Sequence, residues 1–468
     1  MAASTLRVRM YRVGFGDFFL VTVPSADGPL HILIDCGVTS GKTGKGDIHT
    51  IKAAVAHMAE ETKRHLALIV VTHRHMDHII GFSRCEDVFK TFTVDAIWMP
   101  FWETEYAPEV VKFQAELTAL ALDVQQRFAT AAGSDDPNVR AILGIVENAT
   151  GVSLTEGPGG GTNARSLALL KTQFGVTPQY LAKGDAAALP ASLVAAGLGA
   201  EILGPPPADA IAFMRMTDLR KGVGQYLDAD GAGDRDPKSF VPFGERWRAT
   251  PDDYPASAFR EWAPRARRGR GTDEERYSHR IEEAIKAAQP AALLTAAKEL
   301  DDFLNNQSLV VLFTWKDKRL LFAGDAQAGN WEYWLYDLDK PLKTTVGETM
   351  TKEGKSILQG LDFYKVGHHG STNATPIAAV DAMGTGFAAM CSTQADTFGS
   401  EANASEVPRV PLMDALGAKC GLVRSDQIAV EINQQKVAPA KGAPPALPDP
   451  QRFRGRFEVG SCFVDYVL

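Results

Sequence analysis

The chain has 468 residues, enough to bury a large core. Hydrophobic residues make up 45% and charged residues 23%, the balance of an ordinary soluble globular protein. The net charge of −8 gives no overall drive toward nucleic acid or an anionic membrane, although a local basic patch is compatible with it. No uninterrupted apolar run approaches the ~18 residues that a membrane helix needs. The five cysteines (Cys36, Cys85, Cys391, Cys420, Cys462) are scattered and in no CxxC pair, which fits free thiols in a reducing compartment. The N-terminal stretch alternates like a strand and lacks an apolar signal core, so a cytoplasmic location is expected.

Taken in order, residues 6–13 alternate apolar and polar as a half-buried strand does. Gly14-Phe-Gly-Asp17 makes a tight turn, and residues 18–23 and 31–34 read as the next two strands. The latter ends in Asp35-Cys-Gly37, where a carboxylate at a strand end can orient a metal-ligating histidine through a hydrogen bond. The glycine- and lysine-rich stretch 41–46 lacks the spacing of a phosphate loop and is read as a mobile loop. Residues 47–63 have helical spacing, with Asp47 as the expected N-cap. An apolar strand over 66–71 then delivers His73-Arg-His75-Met-Asp77-His78. Three histidines and a carboxylate within six positions can fill much of two metal spheres. His73 and His75, two apart, point the same way on an extended chain, and Asp77 and His78 follow where the chain turns.

After a strand at 94–99, the pattern turns helical from about 101 to 198, with helices expected over 108–131 and 163–174. Residues 200–207 run as a strand into a proline stop. The stretch 208–304 is the least legible. Its acidic run 228–236 lacks EF-hand spacing and is read as a solvated loop. Its Arg265-Ala-Arg267-Arg268-Gly-Arg270 is either self-neutralising surface or a clamp on phosphates. A long helix is expected over 282–304. Strand grammar returns at 308–315, 319–323, 361–366, 387–391 and 418–423, which completes the expected strand set. Asp325 and His368-His369 follow two of these strands, each beside glycines that let backbone approach an ion closely. Residues 437–450, rich in proline and alanine, read as a linker or draped tail.

The His-x-His-x-Asp-His run at 73–78 resembles the signature of the metallo-β-lactamase superfamily. Leu203-Gly-Pro-Pro, Asn305-Asn-Gln-Ser308, Leu321-Phe-Ala-Gly-Asp325 and Tyr364-Lys-Val-Gly-His-His-Gly-Ser371 occur in an order that resembles the hydrolase domain of ComEC-type DNA-uptake proteins. Val13-Gly-Phe-Gly-Asp17 and Val423-Arg-Ser-Asp-Gln427 look like that family's early and late motifs, with Phe15 in place of a glutamine. The match frames nearly the whole chain, while 101–198 and 208–304 are poorly covered.

The resemblance implies one α/β domain over 1–468, an αββα metallo-β-lactamase sandwich. The helical or irregular insertions 101–198 and 208–304 would lie over its site edge. It implies His73 and His75 on a first metal, Asp77 and His78 on a second, Asp325 bridging, and His368 or His369 completing the second sphere. Asp35 would orient a ligand. The family's membrane channel has no counterpart here. The only histidine between His78 and Asp325 is His279, so the first metal lacks the third histidine common in the superfamily, and Asn306 or Ser308 would position water or substrate instead.

Two divalent ions about 3.5–4 Å apart, zinc first and manganese or iron as alternatives, would generate hydroxide without a nucleophilic Ser or Cys, with Asp77 and Asp325 at the reacting centre. The leading expectation is a phosphodiesterase or nuclease acting on a phosphodiester-containing small molecule or nucleic acid, with Ser371, Arg265, Arg267 and Arg268 as substrate contacts. Hydrolysis of a lactone, thioester or β-lactam is the alternative, favoured if Trp98, Phe101, Trp102 and Tyr106 line an aromatic pocket. A non-catalytic metal-binding effector module is the third reading.

Overall fold

Strict alternation of side chains along fourteen strands decides which residues meet at the centre of the fold. The structure is a computed structural model, and it describes residues 5–39, 50–115, 118, 162–214, 303–336, 338, 341, 349–399, 406–428, 430–432, 435–437 and 449–468. We number the strands of the two main sheets β1 (Arg7–Tyr11), β2 (Phe18–Val23), β3 (Leu30–Cys36), β4 (Leu68–Val70), β5 (Ile97–Pro100), β6 (Gln179–Leu181) and β7 (Leu198–Gly204). The later strands are β8 (Val310–Trp315), β9 (Lys318–Phe322), β10 (Phe363–Lys365), β11 (Ala388–Cys391), β12 (Gly421–Arg424), β13 (Arg456–Val459) and β14 (Phe463–Val467).

The fold is mixed α/β. One sheet has eight strands in the order β13-β14-β1-β2-β3-β4-β5-β6, and the other has six in the order β12-β11-β10-β9-β8-β7. In the first, pairing is antiparallel from β13 to β3 and parallel from β3 to β6. In the second it is parallel from β12 to β9 and antiparallel through β8 to β7.

Val8, Met10, Phe19, Val21, Ile32 and Ile34 of the first sheet share one buried cluster with Val311, Phe313, Phe322, Phe363 and Met390 of the second. Trp98 stacks on Phe313 with ring centroids 6.1 Å apart, and Phe19 meets Phe322 edge-on at 6.1 Å. The opposite parity of the first sheet (Leu20, Leu33, Ile69) packs on helices α1 (Ile51–Glu61) and α2 (Met76–Arg84) through Val55, Met58, Ile79 and Phe82. The opposite parity of the second sheet (Leu312, Leu321, Tyr364, Ala389) packs on Trp331, Leu358 and Leu412. These lie on helices α3 (Ala328–Leu335), α4 (Lys352–Gln359) and α5 (Val410–Gly417).

Several expectations are corrected. Helix α1 starts at Ile51 and is capped by Thr50, whose hydroxyl accepts from Ala53 N at 3.2 Å, because a threonine one residue before the apolar face is the nearer acceptor. Asp47 and the 41–46 stretch lie outside the described residues. The 101–198 stretch is not helical throughout: β6 lies within it and forms the edge of the larger sheet. The expected strand set was incomplete, since β13 and β14 follow the 437–450 stretch and join β1. A small hairpin, Val430–Ile432 with Gln435–Val437, was also missed. The expected helix over 108–131 is described as helical at 108–115. The 228–236 run, the basic run and most of 282–304 lie outside the described residues, as does most of 437–450. All five cysteines are buried and free. Among the described residues, no helix is long and apolar enough to cross a membrane.

The last strand is tied to the first by a charge pair no local pattern announces. Arg9 donates from Nε and Nη2 to the two carboxylate oxygens of Asp465 at 2.7 and 2.8 Å. Its guanidinium also lies 3.4 Å from the centroid of the Phe463 ring, and both charged side chains are buried. Removing one partner leaves the other buried charge with only a longer contact, Arg9 Nη1 to Glu61 Oε2 or Asp465 Oδ2 to Arg7 Nη1, each at 3.6 Å. Asp465→Asn should therefore destabilise the protein by about 3–5 kcal/mol in denaturant unfolding. A double Arg9→Met, Asp465→Asn variant should lose less than the sum of the single variants.

Candidate metal centre

Each candidate ligand sits just past the end of a strand, where the chain leaves the sheet. After β4 the chain runs extended through Thr72 and His73 to His75, which occupies the N-cap position of α2 (φ −61°, ψ 150°) without a side-chain capping bond. Asp77 and His78 therefore fall in the first helical turn, where the helix dipole favours a carboxylate. In the second sheet, Gly324 (φ +53°) turns the chain after β9. A Cβ there would come within 2.8 Å of Thr72 Cβ, so only glycine lets Asp325 approach the histidine loop. Asp325 N donates to Ser308 Oγ at 2.9 Å. After β10, His368 (φ 44°) and His369 (φ 52°) adopt left-handed backbone, as does Asp35 (φ 53°) in the last two residues of β3. Such conformations in non-glycine residues cost of order 1 kcal/mol or more each and persist where surrounding structure enforces them.

The side chains converge. One ligating atom each from Asp77, His78, Asp325 and His369 lie within 4.8 Å of one another. His78 Nε2 is 3.1 Å from Asp325 Oδ2, and His369 Nε2 is 3.1 Å from Asp77 Oδ2 and 3.5 Å from Asp325 Oδ2. The other nitrogen of each ring is occupied behind the centre. His78 Nδ1 is 2.8 Å from Asp35 Oδ2, and His369 Nδ1 is 2.7 Å from the Ser392 carbonyl oxygen. Those acceptors hold the Nδ1 proton, so Nε2 is the nitrogen each ring turns toward the cluster. Asp35 also accepts from Thr72 N at 2.8 Å and from Thr72 Oγ1 at 2.6 Å, which fixes both of its oxygens.

His73 and His75 lie alongside, with ring centroids 4.5 Å apart, and the His73 ring is 4.1 Å from that of His78. They do not belong to the four-residue group of mutually close ligating atoms. His73 Nδ1 is 3.1 Å from Thr72 Oγ1 and 3.4 Å from Ser308 Oγ, and its Nε2 is buried with no hydrogen-bond partner among the described residues. A buried ring nitrogen without a partner is costly unless something else takes its lone pair. The donor set of imidazoles and carboxylates, with no thiolate, suits zinc, manganese or iron.

The electrostatics divide the histidines into two classes. Burial, reinforced by the neighbouring imidazoles, pushes His73 well below the ordinary range, and burial brings His75 down to about 4. Both are neutral, the state in which an imidazole can bind a cation. Burial opposes charge on His78 and His369 as well, but Asp325 foremost, then Asp35 and Asp17 for His78 and Asp17 and Asp77 for His369, outweigh it and raise both. Asp77 and Asp325 are held low despite burial, Asp77 chiefly by His369 and His78, Asp325 chiefly by His78 and His369.

Of the two adjacent histidines, the structure brings His369 into the group. His368 stands at its edge, with Nε2 4.0 Å from Asp325 Oδ2 and 3.4 Å from Asn305 Nδ2. Ser371 Oγ lies 2.7 Å from His368 Nδ1, so it contacts that ring. Ser308 is at the centre, but Asn306 is turned away: its Oδ1 accepts from Gln327 N at 3.2 Å and Asn330 N at 3.3 Å, bracing the start of α3. Residues 303–306 are helical, so successive side chains diverge and Asn305 faces the site instead. Arg265, Arg267 and Arg268 lie outside the described residues.

Trp98, Trp102 and Tyr106, three of the four residues whose shared pocket would favour a carbonyl substrate, are not gathered around one pocket. Trp98 is in the inter-sheet core and Trp102 is fully buried, its Nε1 donating to the Pro206 carbonyl at 2.8 Å, while Tyr106 is 81% exposed.

Sequence reading missed Asp17 and Lys365 as members of the site. Lys365 is 2% exposed, pairs with Asp17, and its Nζ donates to the Gly324 carbonyl at 3.0 Å and lies 3.4 Å from Asp325 Oδ1. A lysine inside the apolar Phe363–Val366 run was the available signal, since lysine is almost never fully buried unless paired. Comparison of the chain with protein-family models and with curated proteins finds no match to either.

Proposed function

We propose that this chain is a metal-dependent phosphodiesterase or nuclease built on an αββα metallo-β-lactamase sandwich. The fold reading is supported by one core shared between two mixed sheets, with helices packed on both outer faces. The observation that carries the functional reading is the convergence of Asp77, His78, Asp325 and His369 from three strand ends remote in sequence, beside neutral, buried His73 and His75.

In this reading Asp77, His78, Asp325 and His369 would hold one cation, and His73 and His75 beside them would hold a second. Bound cations would supply Lewis acidity toward a phosphoryl oxygen and lower the pKa of water toward neutrality. The protein's own part is positional. Asp35 and the Ser392 carbonyl fix which nitrogen His78 and His369 present, Ser308 anchors the Asp325 backbone, and Ser371 with Asn373 orients the His368 ring. His368 and Asn305 at the edge of the group are placed to meet the substrate.

The test is hydrolysis of bis-p-nitrophenyl phosphate with added Zn²⁺ or Mn²⁺. The expected result is metal-dependent turnover that is lost in a His75→Ala, Asp77→Ala double variant. Absence of turnover under every metal, or turnover unchanged in the double variant, would defeat the proposal.

A further inference from the structure

Behind the centre lies a buried ion pair that no metal-ligand pattern requires. Lys365 sits on β10 of the six-stranded sheet with its ammonium fully enclosed, and its three donor directions are met by Asp17, the Gly324 carbonyl and Asp325 Oδ1. None is left for a substrate, so the lysine does not serve as a phosphate-binding or nucleophilic group. Asp17 comes from the other sheet, on the turn between β1 and β2, and its backbone is stitched to the histidine loop. Asp17 N donates to the Asp77 carbonyl at 2.8 Å, and Gly37 N donates to the Asp17 carbonyl at 2.8 Å. Asp17 also stands 3.6 Å behind both His78 Nδ1 and His369 Nδ1. The Lys365–Asp17 pair thus joins the half of the ligand set carried by the first sheet (Asp77, His78) to the half carried by the second (Asp325, His369).

We infer that Lys365 and Asp17 are positioning residues that make Asp325 a one-oxygen ligand. This rests on the metal reading of the centre proposed above. Lys365 and the His368 backbone N–H, 3.1 Å away, both engage Asp325 Oδ1. Only Oδ2 then faces His78 and His369. A carboxylate so restrained cannot rotate to chelate one cation with both oxygens, which leaves Oδ2 to be shared. Outer groups that orient ligating side chains commonly carry about 10–100-fold in metal affinity.

The pair's two members have opposite charge, which separates positioning from simple charge balance. Co²⁺ affinity, by competition with a chelator, and the visible absorption spectrum of the Co²⁺-loaded full chain are measured for wild type, Lys365→Met and Asp17→Asn. Positioning predicts that both variants bind Co²⁺ at least about tenfold more weakly and share a changed spectrum. Charge balance predicts opposite shifts, tighter for Lys365→Met and weaker for Asp17→Asn, and that outcome would overturn the inference, as would unchanged binding in both. Asp17→Glu covers the case in which a neutralised variant fails to fold: it moves the carboxylate by one methylene at constant charge, and positioning again predicts weaker binding with an altered spectrum, while an unaltered Asp17→Glu overturns it. Failure of wild type to bind Co²⁺ would instead defeat the metal reading itself.

Discussion

Replacing Asp325 with asparagine should remove more metal binding and activity than any other single conservative change in the centre. Its Oδ2 is 3.1 Å from His78 Nε2 and 3.5 Å from His369 Nε2, so one oxygen serves the whole group. Asparagine keeps the size but not the charge of that oxygen, and its amide can present a donor where a cation would sit. The expected result is loss of at least one bound ion per chain and a fall of more than about a hundredfold in metal-dependent phosphodiester hydrolysis. Asp35→Asn is the graded comparison. It leaves every proposed ligand in place but takes the charge and one of two acceptor oxygens from the group 2.8 Å from His78 Nδ1, so its loss should stay within the 10–100-fold typical of an orienting partner. Titration with Zn²⁺ followed by elemental measurement of bound metal reads both. Equal losses in the two variants would argue against a bridging role for Asp325.

The second large effect is expected at a residue with no side chain. A Cβ on Gly37 would lie 2.1 Å from both Asp77 C and His78 N. Those are backbone atoms in the first turn of α2, so nothing can rotate away. Gly37→Ala must push β3 and the start of α2 apart, and overpacking of a well-filled interior costs about 1–3 kcal/mol or more. Because the contact is with the two ligand-bearing residues, metal affinity should fall together with stability. Gly28→Ala is a useful contrast, since a Cβ there meets nothing within 4 Å and the residue is remote from the ligands. It changes backbone freedom (φ +121°) but should leave metal binding intact. Denaturant unfolding of the metal-free proteins and metal titration of the folded ones separate the two losses.

The site was more legible than the fold that carries it. His73, His75, Asp77 and His78 stand out because chemistry and local spacing coincide in six residues. Asp325 and His369 could be found because each follows an apolar run and is flanked by a glycine. Which of His368 and His369 faces the group depended on two successive left-handed residues, which sequence spacing does not encode. Asp17 passed for a turn former, and Lys365 took meaning only when its carboxylate partners arrived from other elements. Asn305, to which no role was given, reaches the His368 edge of the group in place of Asn306, because that segment is helical and successive side chains diverge.

The strands at the C-terminal end were missed for a similar reason. The alternation in Phe463-Val-Asp-Tyr-Val467 is present, but its polar member is Asp465, and it takes the distant Arg9, with Arg7 beside it, to make an aspartate tolerable in a buried strand. Helix α3 was hidden by its own burial: Trp331, Trp334 and Leu335 leave little polar face from which to read a period.

The central claim is that the histidine–aspartate group holds metal. Its most direct test is a crystal structure of the protein grown with Zn²⁺ or Mn²⁺, with anomalous scattering used to locate the ions. The expected map has one peak bound by Asp77, His78, Asp325 and His369 and a second against His73 and His75. A map with no anomalous peak among these side chains, at saturating metal and neutral pH, would contradict it.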